Sequence, residues 1–150
     1  MAGSAQYASC LVGGLMVGIK VEAVQEVTSG SDLTPVPRAP ALVSGLLNLR
    51  GQVLTAIDLR RCLQLGDRPA GQRPVHIILR TDEERVSLLV DQVGDVLEVA
   101  GDDFEVSPRT LRGPLRELIT GAYKLDGRLL LVLDTAGVLA CSAVEPASAP

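Results

Sequence analysis

Two stretches of the chain align without a gap. LVSGLLNLRGQVLTAID (42–58) and LITGAYKLDGRLLLVLD (118–134) are identical at six of seventeen positions: Leu42/Leu118, Gly45/Gly121, Leu49/Leu125, Gly51/Gly127, Leu54/Leu130 and Asp58/Asp134. Most other positions exchange one apolar residue for another. Upstream of each lies a second matching pair, VEAVQEV (21–27) and VDQVGDV (90–96), in the same order. A repeat of this kind means two small β units, each with too little core to stand alone. Chance similarity among Val- and Leu-rich strands is the competing reading, because the apolar alphabet is small.

The apolar segments are short and separated by turn residues, which predicts strands rather than buried helices. Strands are expected at 15–20, 22–28, 44–49, 52–58, 75–80, 85–91, 93–99, 119–125 and 128–134. So many short strands indicate a barrel or sandwich, mainly β, with few short helices. Helices are expected at 59–63 and within 108–118, where Gly113-Pro114 interrupts. Residues 64–74, QLGDRPAGQRP, read as an exposed loop between the repeated halves. Residues 1–6 and 142–150 are expected to be flexible termini.

The repeat draws attention to Arg50. Asp126-Gly127 suits a two-residue type I′ hairpin, in which both turn residues need positive φ. The first copy has Arg50-Gly51 in its place. Asp tolerates the left-handed conformation better than Arg does, so folding alone does not select Arg50 if the two turns match. A planar guanidinium at a turn tip suits recognition of a carboxylate; an ordinary solubilising arginine is the bland alternative. Glu26, in VEAVQEV, is a candidate partner. If exposed, such a pair orients a surface more than it holds a fold together.

Composition excludes several classes of function. Only Tyr7, Phe104 and Tyr123 are aromatic, and the net charge is −4. Neither fits base stacking or a phosphate-binding surface, so no nucleic-acid partner is expected. No apolar run approaches the ~18–20 residues that span a bilayer, and the N-terminus lacks the basic start of a secretory signal. A cytoplasmic protein without membrane insertion is expected. Cys10, Cys62 and Cys141 are dispersed and form no C-x-x-C pair, so they read as reduced apolar fillers. No cofactor or metal site is expected.

The stretch TPVPRAPALVSGLLNLRGQVLTAIDLRRCLQLG (34–66) resembles the CheW-like coupling proteins of bacterial chemotaxis. The residues that carry the resemblance are Pro37, Gly45, Asn48, Leu49, Arg50, Gly51, Ile57, Asp58, Leu59 and Arg60, as a G-x-x-N-L-R-G core and a strand ending in I-D-L-R. VQEV (24–27) is similar to the family's V-x-E-I segment, LLVDQVGDVLEV (88–99) to its V-D-x-V-x-D-V segment, and ITGAYKLDGRLLLVLD to its closing hairpin. The likeness covers about residues 7–140. It departs from the family at Leu63, where a Phe often follows I-D-L-R, and at a final segment poor in lysine and leucine.

The resemblance implies two five-stranded SH3-like barrels in one domain, and a non-catalytic adaptor. The implied partners are a CheA-type histidine kinase and the cytoplasmic tip of a methyl-accepting chemoreceptor, with recruitment to receptor arrays at the inner membrane. A non-motility chemosensory array, or another β-barrel protein-binding module, is the alternative. Residues implied in protein binding are Val24, Glu26, Val27, Gly45, Asn48, Arg50, Gly51, Val93, Asp95 and Val96.

Enzyme readings are thin. D-T-A-G (134–137) resembles the D-[ST]-[GA] signature of aspartic proteases, in which two carboxylates share a proton. The first copy, Asp58-Leu59-Arg60, lacks the hydroxyl and the small residue. Asp58 and Asp134 are expected instead to end strands and cap the following helices. His76 is the only histidine; by strand alternation it is expected at the solvent face or barrel rim. Arg109, Arg112 and Arg116 make a modest basic stretch, read as a solvated face.

Overall fold

The aligned segments become equivalent hairpins in two sheets. The computed structural model describes residues 4–29, 33–38, 41–80, 85–101, 104–106, 113 and 117–143. In chain order the elements are β1 (Ser4–Val12), β2 (Leu15–Lys20), a 3₁₀ turn (Val21–Ala23), β3 (Val24–Ser29), β4 (Leu33–Thr34), β5 (Val43–Leu49), β6 (Gln52–Asp58), α1 (Leu59–Cys62), β7 (Val75–Arg80), β8 (Arg85–Val90), β9 (Gln92–Ala100), β10 (Phe104–Val106), β11 (Ile119–Leu125), β12 (Arg128–Leu133) and α2 (Thr135–Ala143). The mainly β architecture with few short helices is the expected one. Among the described residues each sheet has six strands rather than five.

One sheet runs β3-β7-β8-β6-β5-β4 and the other β9-β1-β2-β12-β11-β10. The two orders match position for position. Each contains a parallel pair (β6 with β8, β12 with β2), and the remaining pairs are antiparallel. The local details repeat as well. Register slips fall between Val43 and Gly45 and between Ile119 and Gly121. A Cβ on Gly45 would lie 2.7 Å from the Thr34 carbonyl oxygen, and one on Gly121 2.7 Å from that of Glu105. Glycine lets the short edge strands β4 and β10 cross closely at both places.

The border between the units differs from the expected one. The first unit is residues 24–90, and the second combines 4–20 with 92–133. The loop 64–74 therefore lies inside the first unit, between α1 and β7. The chain's first hairpin, β1–β2, completes the second sheet, as β7–β8 completes the first. β1 is absent from the pattern-based expectation because SAQYASC is rich in small residues; its strand form is fixed by pairing with both β2 and β9. The two- and three-residue strands β4 and β10 carry too little sequence to signal themselves. β3 starts at Val24 because Val21–Ala23 turn first.

Some expectations lie on or across the limits of the described residues. Most of the 108–118 segment, with Arg109, Arg112 and Arg116, is outside them. So are residues 1–3 and 144–150, although β1 begins at Ser4 and α2 reaches Ala143.

Each unit keeps a small core of its own. The first packs Leu47, Leu49, Leu54 and Ile78. The second packs Tyr7, Tyr123, Val99, Leu130 and Val132, with Phe104 against them. The largest core lies between the sheets and draws on β1, β2, β6, β7, β8, β12 and both helices, including Val17, Ile57, Leu63, Leu88 and Val138. At ~25 cal/mol per Å² of apolar surface, that shared layer holds the units together far better than either small core holds itself.

Asp58 and Asp134 act as expected at the strand ends. The Asp58 Oδ1 accepts from the Arg60 amide at 3.0 Å, and the Asp134 Oδ1 from the Gly137 amide at 3.1 Å. Cys10 and Cys62 are buried; burial pushes the Cys10 thiol up to about 12. His76 is not at the rim. It is buried, with Nδ1 2.8 Å from the Ser87 hydroxyl, because both faces of β7 are covered. Among the described residues, no helix is long and apolar enough to cross a membrane.

Candidate functional site

The β5–β6 turn answers the question raised by Arg50. Arg50 has φ 51° and Gly51 φ 87°, so both turn residues are left-handed. At 126–127 only Gly127 has positive φ, at 81°. The two turns thus differ, and it is the arginine that occupies the strained conformation. The Asn48 side chain stabilises the turn, its Oδ1 accepting from the Gly51 amide at 3.1 Å. Asn at this position is what makes the N-L-R-G sequence a turn.

From that tip Arg50 reaches across to β3 and grips Glu26 with both terminal nitrogens. Nη1 donates to Oε2 at 3.0 Å and Nη2 donates to Oε1. The arginine side chain is 67% exposed and the glutamate 27%. The Arg50 guanidinium holds the Glu26 carboxyl below its ordinary range, outweighing the opposing effect of burial, with smaller help from Gln25 and Arg85. A pair so exposed contributes little to stability, but bidentate geometry fixes the orientation of both groups. Beside it, Arg85 donates through Nη1 to the Gln52 Oε1, at the start of β6.

Val27 follows Glu26 on β3, and Val53 lies just after the turn on β6. Among the described residues the exposed large aliphatic side chains are Val27 at 45%, Val53 at 61%, Val96 at 57% and Leu129 at 43%. They form two repeat-equivalent couples, Val27 with Val96 and Val53 with Leu129. Each unit therefore exposes two aliphatic side chains at matching repeat positions, which offer apolar contact area to a partner. Val24 and Val93, also equivalent, are half-buried against the shared core. Asp95 is exposed on β9. Gly45 does not face outward: it is buried beneath β4 and serves the fold. The structure thus brings Glu26, Asn48, Arg50 and Gly51 together on the first unit, and places Val93, Asp95 and Val96 on the second.

Pattern reading missed a buried ionic cluster. The Asp91 carboxylate, between β8 and β9, accepts from Arg60 Nε at 2.8 Å, Arg60 Nη2 at 2.7 Å, Arg68 Nε at 2.9 Å and the Gly13 amide at 2.9 Å. Arg68 also reaches the Asp58 carboxylate through both terminal nitrogens, at 3.2 and 3.3 Å. Arg60 first, then the Gly13 amide and Arg68, outweigh burial and hold the Asp91 carboxyl at about 2. Arg68 makes the loop 64–74 more than an exposed connection, because its side chain plugs into the seam between the units. The signal lay in I-D-L-R and in the acidic second residue of VDQVGDV, but nothing in the spacing pairs them with Arg68.

The comparisons agree with this architecture. The chain matches the CheW-like domain over residues 6–142. A chemotaxis protein CheW of Rhizobium meliloti (strain 1021) is 32% identical over 116 residues, covering 77% of this chain and 75% of that protein. The chemotaxis protein CheW of Bacillus subtilis (strain 168) is 30% identical over 129 residues, covering 86% and 83%. The crystal structure of the scaffolding protein TtCheW from Thermoanaerobacter tengcongensis has the same fold, with a TM-score of 0.77 at 23% identity over 87% of this chain and 88% of that one. Two equivalent sheets, the N-L-R-G turn and a match spanning nearly the whole sequence lead to one assignment: the chain belongs to the CheW-like family.

Proposed function

We propose that the chain is a non-catalytic adaptor that couples methyl-accepting chemoreceptors to a CheA-type histidine kinase. It works from the cytoplasm, recruited to receptor arrays at the inner membrane. The observation that carries this is the Glu26–Arg50 pair, held on an exposed turn beside Val27 and contributing little to the fold. An adaptor needs two surfaces that can be occupied together. Val24, Glu26, Val27, Asn48, Arg50 and Gly51 supply one. Val93, Asp95 and Val96, with Leu129, supply the other. Apolar side chains provide the contact area and the charges set its orientation.

Arg50→Asp tests the reading. Circular dichroism and the melting temperature are expected to stay put, while capture of kinase and receptor fragments falls sharply. Unchanged capture, or unfolding of the variant, overturns it.

A further inference from the structure

The two units differ most where the first one carries its ion pair. Three repeat-equivalent positions explain how. Gln25, Glu26 and Arg50 of the first unit correspond to Gly94, Asp95 and Asp126 of the second. In the first unit Gln25 and Arg50 both donate to Glu26, so the space between β3 and the β5–β6 turn is bridged. In the second unit every one of these side chains is shorter, and the cation has become an acid. Two aspartates cannot pair with each other when ionised. Instead of a bridge there is a groove of about 450 Å³.

That groove runs between β9 and the β11–β12 hairpin. Val93, Leu97 and Leu125 give it an apolar lining, and the acidic residues Asp95 and Asp126 line it too. Arg128 also lines it and supplies one positive charge. One carboxylate therefore remains in excess. Gly94 lets β9 approach β1 closely at the groove: a Cβ there would sit 2.7 Å from the Ser9 hydroxyl. That hydroxyl in turn donates to the Asp95 carbonyl at 2.7 Å, fixing the strand that carries Asp95.

We propose that this groove docks a basic amphipathic segment of a partner protein. A lysine or arginine of that segment takes the place that Arg50 fills intramolecularly in the first unit, and adjacent aliphatic residues cover Val93, Leu97 and Leu125. The second face is thus chemically distinct from the first: it takes its cation from outside, whereas the first brings its own. This rests on the adaptor reading above and specifies the partner chemistry of its second surface. Charge complementarity sets the choice of a basic segment over an acidic one, and like-charge contact excludes the latter.

The probes are two amphipathic helical peptides of about 16 residues, one of leucine and lysine, the other of leucine and glutamate. They are titrated into the full chain and followed by amide chemical shifts. The lysine peptide is expected to shift Val93, Gly94, Leu97 and Leu125, and the glutamate peptide is not. Asp126→Asn keeps a good turn residue, so the fold is retained; it is expected to weaken the lysine peptide about tenfold. Asp126→Arg rebuilds the internal bridge to Asp95 and is expected to abolish binding. Arg50→Asp is expected to leave the peptide untouched. Equal binding of both peptides, shifts on another surface, no binding at all, or indifference to both Asp126 variants overturns the groove proposal. Capture of kinase and receptor by Arg50→Asp is read separately. If capture persists there, the adaptor reading falls whatever the peptides do; if capture is lost but the peptides fail, only the groove proposal falls.

Discussion

The first unit builds its small core from Leu47, Leu49, Leu54 and Ile78, and the second uses Tyr7, Tyr123 and Phe104 around Leu130. Tyr123 occupies the repeat position of Leu47. All of the chain's aromatic residues therefore stand in one unit, with ring centroids 5.5 Å apart for Tyr7–Tyr123 and 5.0 Å for Phe104–Tyr123. The backbone has kept its strand order, its bulges and its buried glycines in both units, while the side chains on core and face have diverged. Topology tolerates repacking so long as volume and patterning are held. It places no such demand on an exposed turn, which is where Arg50 and Asp126 part company.

The strongest way to break the comparison is to ask whether the units are separable. Asp91→Ala leaves two guanidinium groups short of their carboxylate in a buried seam. It is expected to cost about 3–5 kcal/mol, and chemical denaturation is expected to remain a single transition because the shared core is lost by both units at once. Two transitions would show that the seam does not couple them.

Gly45→Ala and Gly121→Ala probe whether the units are equivalent in detail. Each puts a methyl group against the backbone of a crossing edge strand. Each is expected to destabilise by up to about 3 kcal/mol: at Gly121 the Phe104 ring also stands in the way, and at Gly45 the backbone φ of 152° adds strain. Denaturation midpoints compare them; a neutral Gly121→Ala would mean the crossing is loose in the second unit.

Acid titration sharpens the role of the seam. Asp91 has its folded pKa held at about 2, below the ordinary 3.8. A depressed carboxyl stabilises the fold above the unfolded value, and that contribution disappears as pH falls through the folded one. Roughly 2 kcal/mol is expected to vanish between about pH 4 and pH 2, and Asp91→Asn is expected to flatten that part of the curve. A variant curve that still falls as steeply assigns the acid sensitivity elsewhere.

The smallest expected effect on stability is at Arg50. Arg50→Asn relieves the left-handed strain while removing an exposed ion pair, so the melting temperature is expected to hold or rise slightly. Partner capture is expected to be lost. A marked drop in melting temperature would make the pair structural and erase the contrast with the second unit.

Much of this was legible in the residues. The alternating apolar runs fix β2, β5, β6, β7, β8, β9, β11 and β12 closely, and Asp58 and Asp134 announce the helices they cap. The repeat and charge made Glu26 a candidate partner for Arg50, and the contact itself follows from the fold that brings β3 within reach of the β5–β6 turn. β1 was not, because a strand of small residues is defined by its neighbours rather than by its own pattern. Its partners β2 and β9 come from opposite sides of an intervening sheet in sequence. His76 misled for a related reason: alternation predicts an exposed face only where a sheet is covered on one side. The turn at 126–127 also departed from the type I′ geometry its sequence favours, since Asp-Gly equally permits a turn in which only the glycine is left-handed. Arg68 was invisible because a long side chain in a loop reports nothing about the distant carboxylate it meets.

The placement of β1–β2 has a consequence for how the molecule is made. Val17 finds its parallel neighbour only at Leu131, near the other end of the described chain. As the polypeptide leaves the ribosome, the β1–β2 hairpin is expected to lack its sheet neighbours β9 and β12 until residues 92–133 have been made. Closure of the second sheet completes the core that both sheets share, so neither unit is expected to reach full stability before the other.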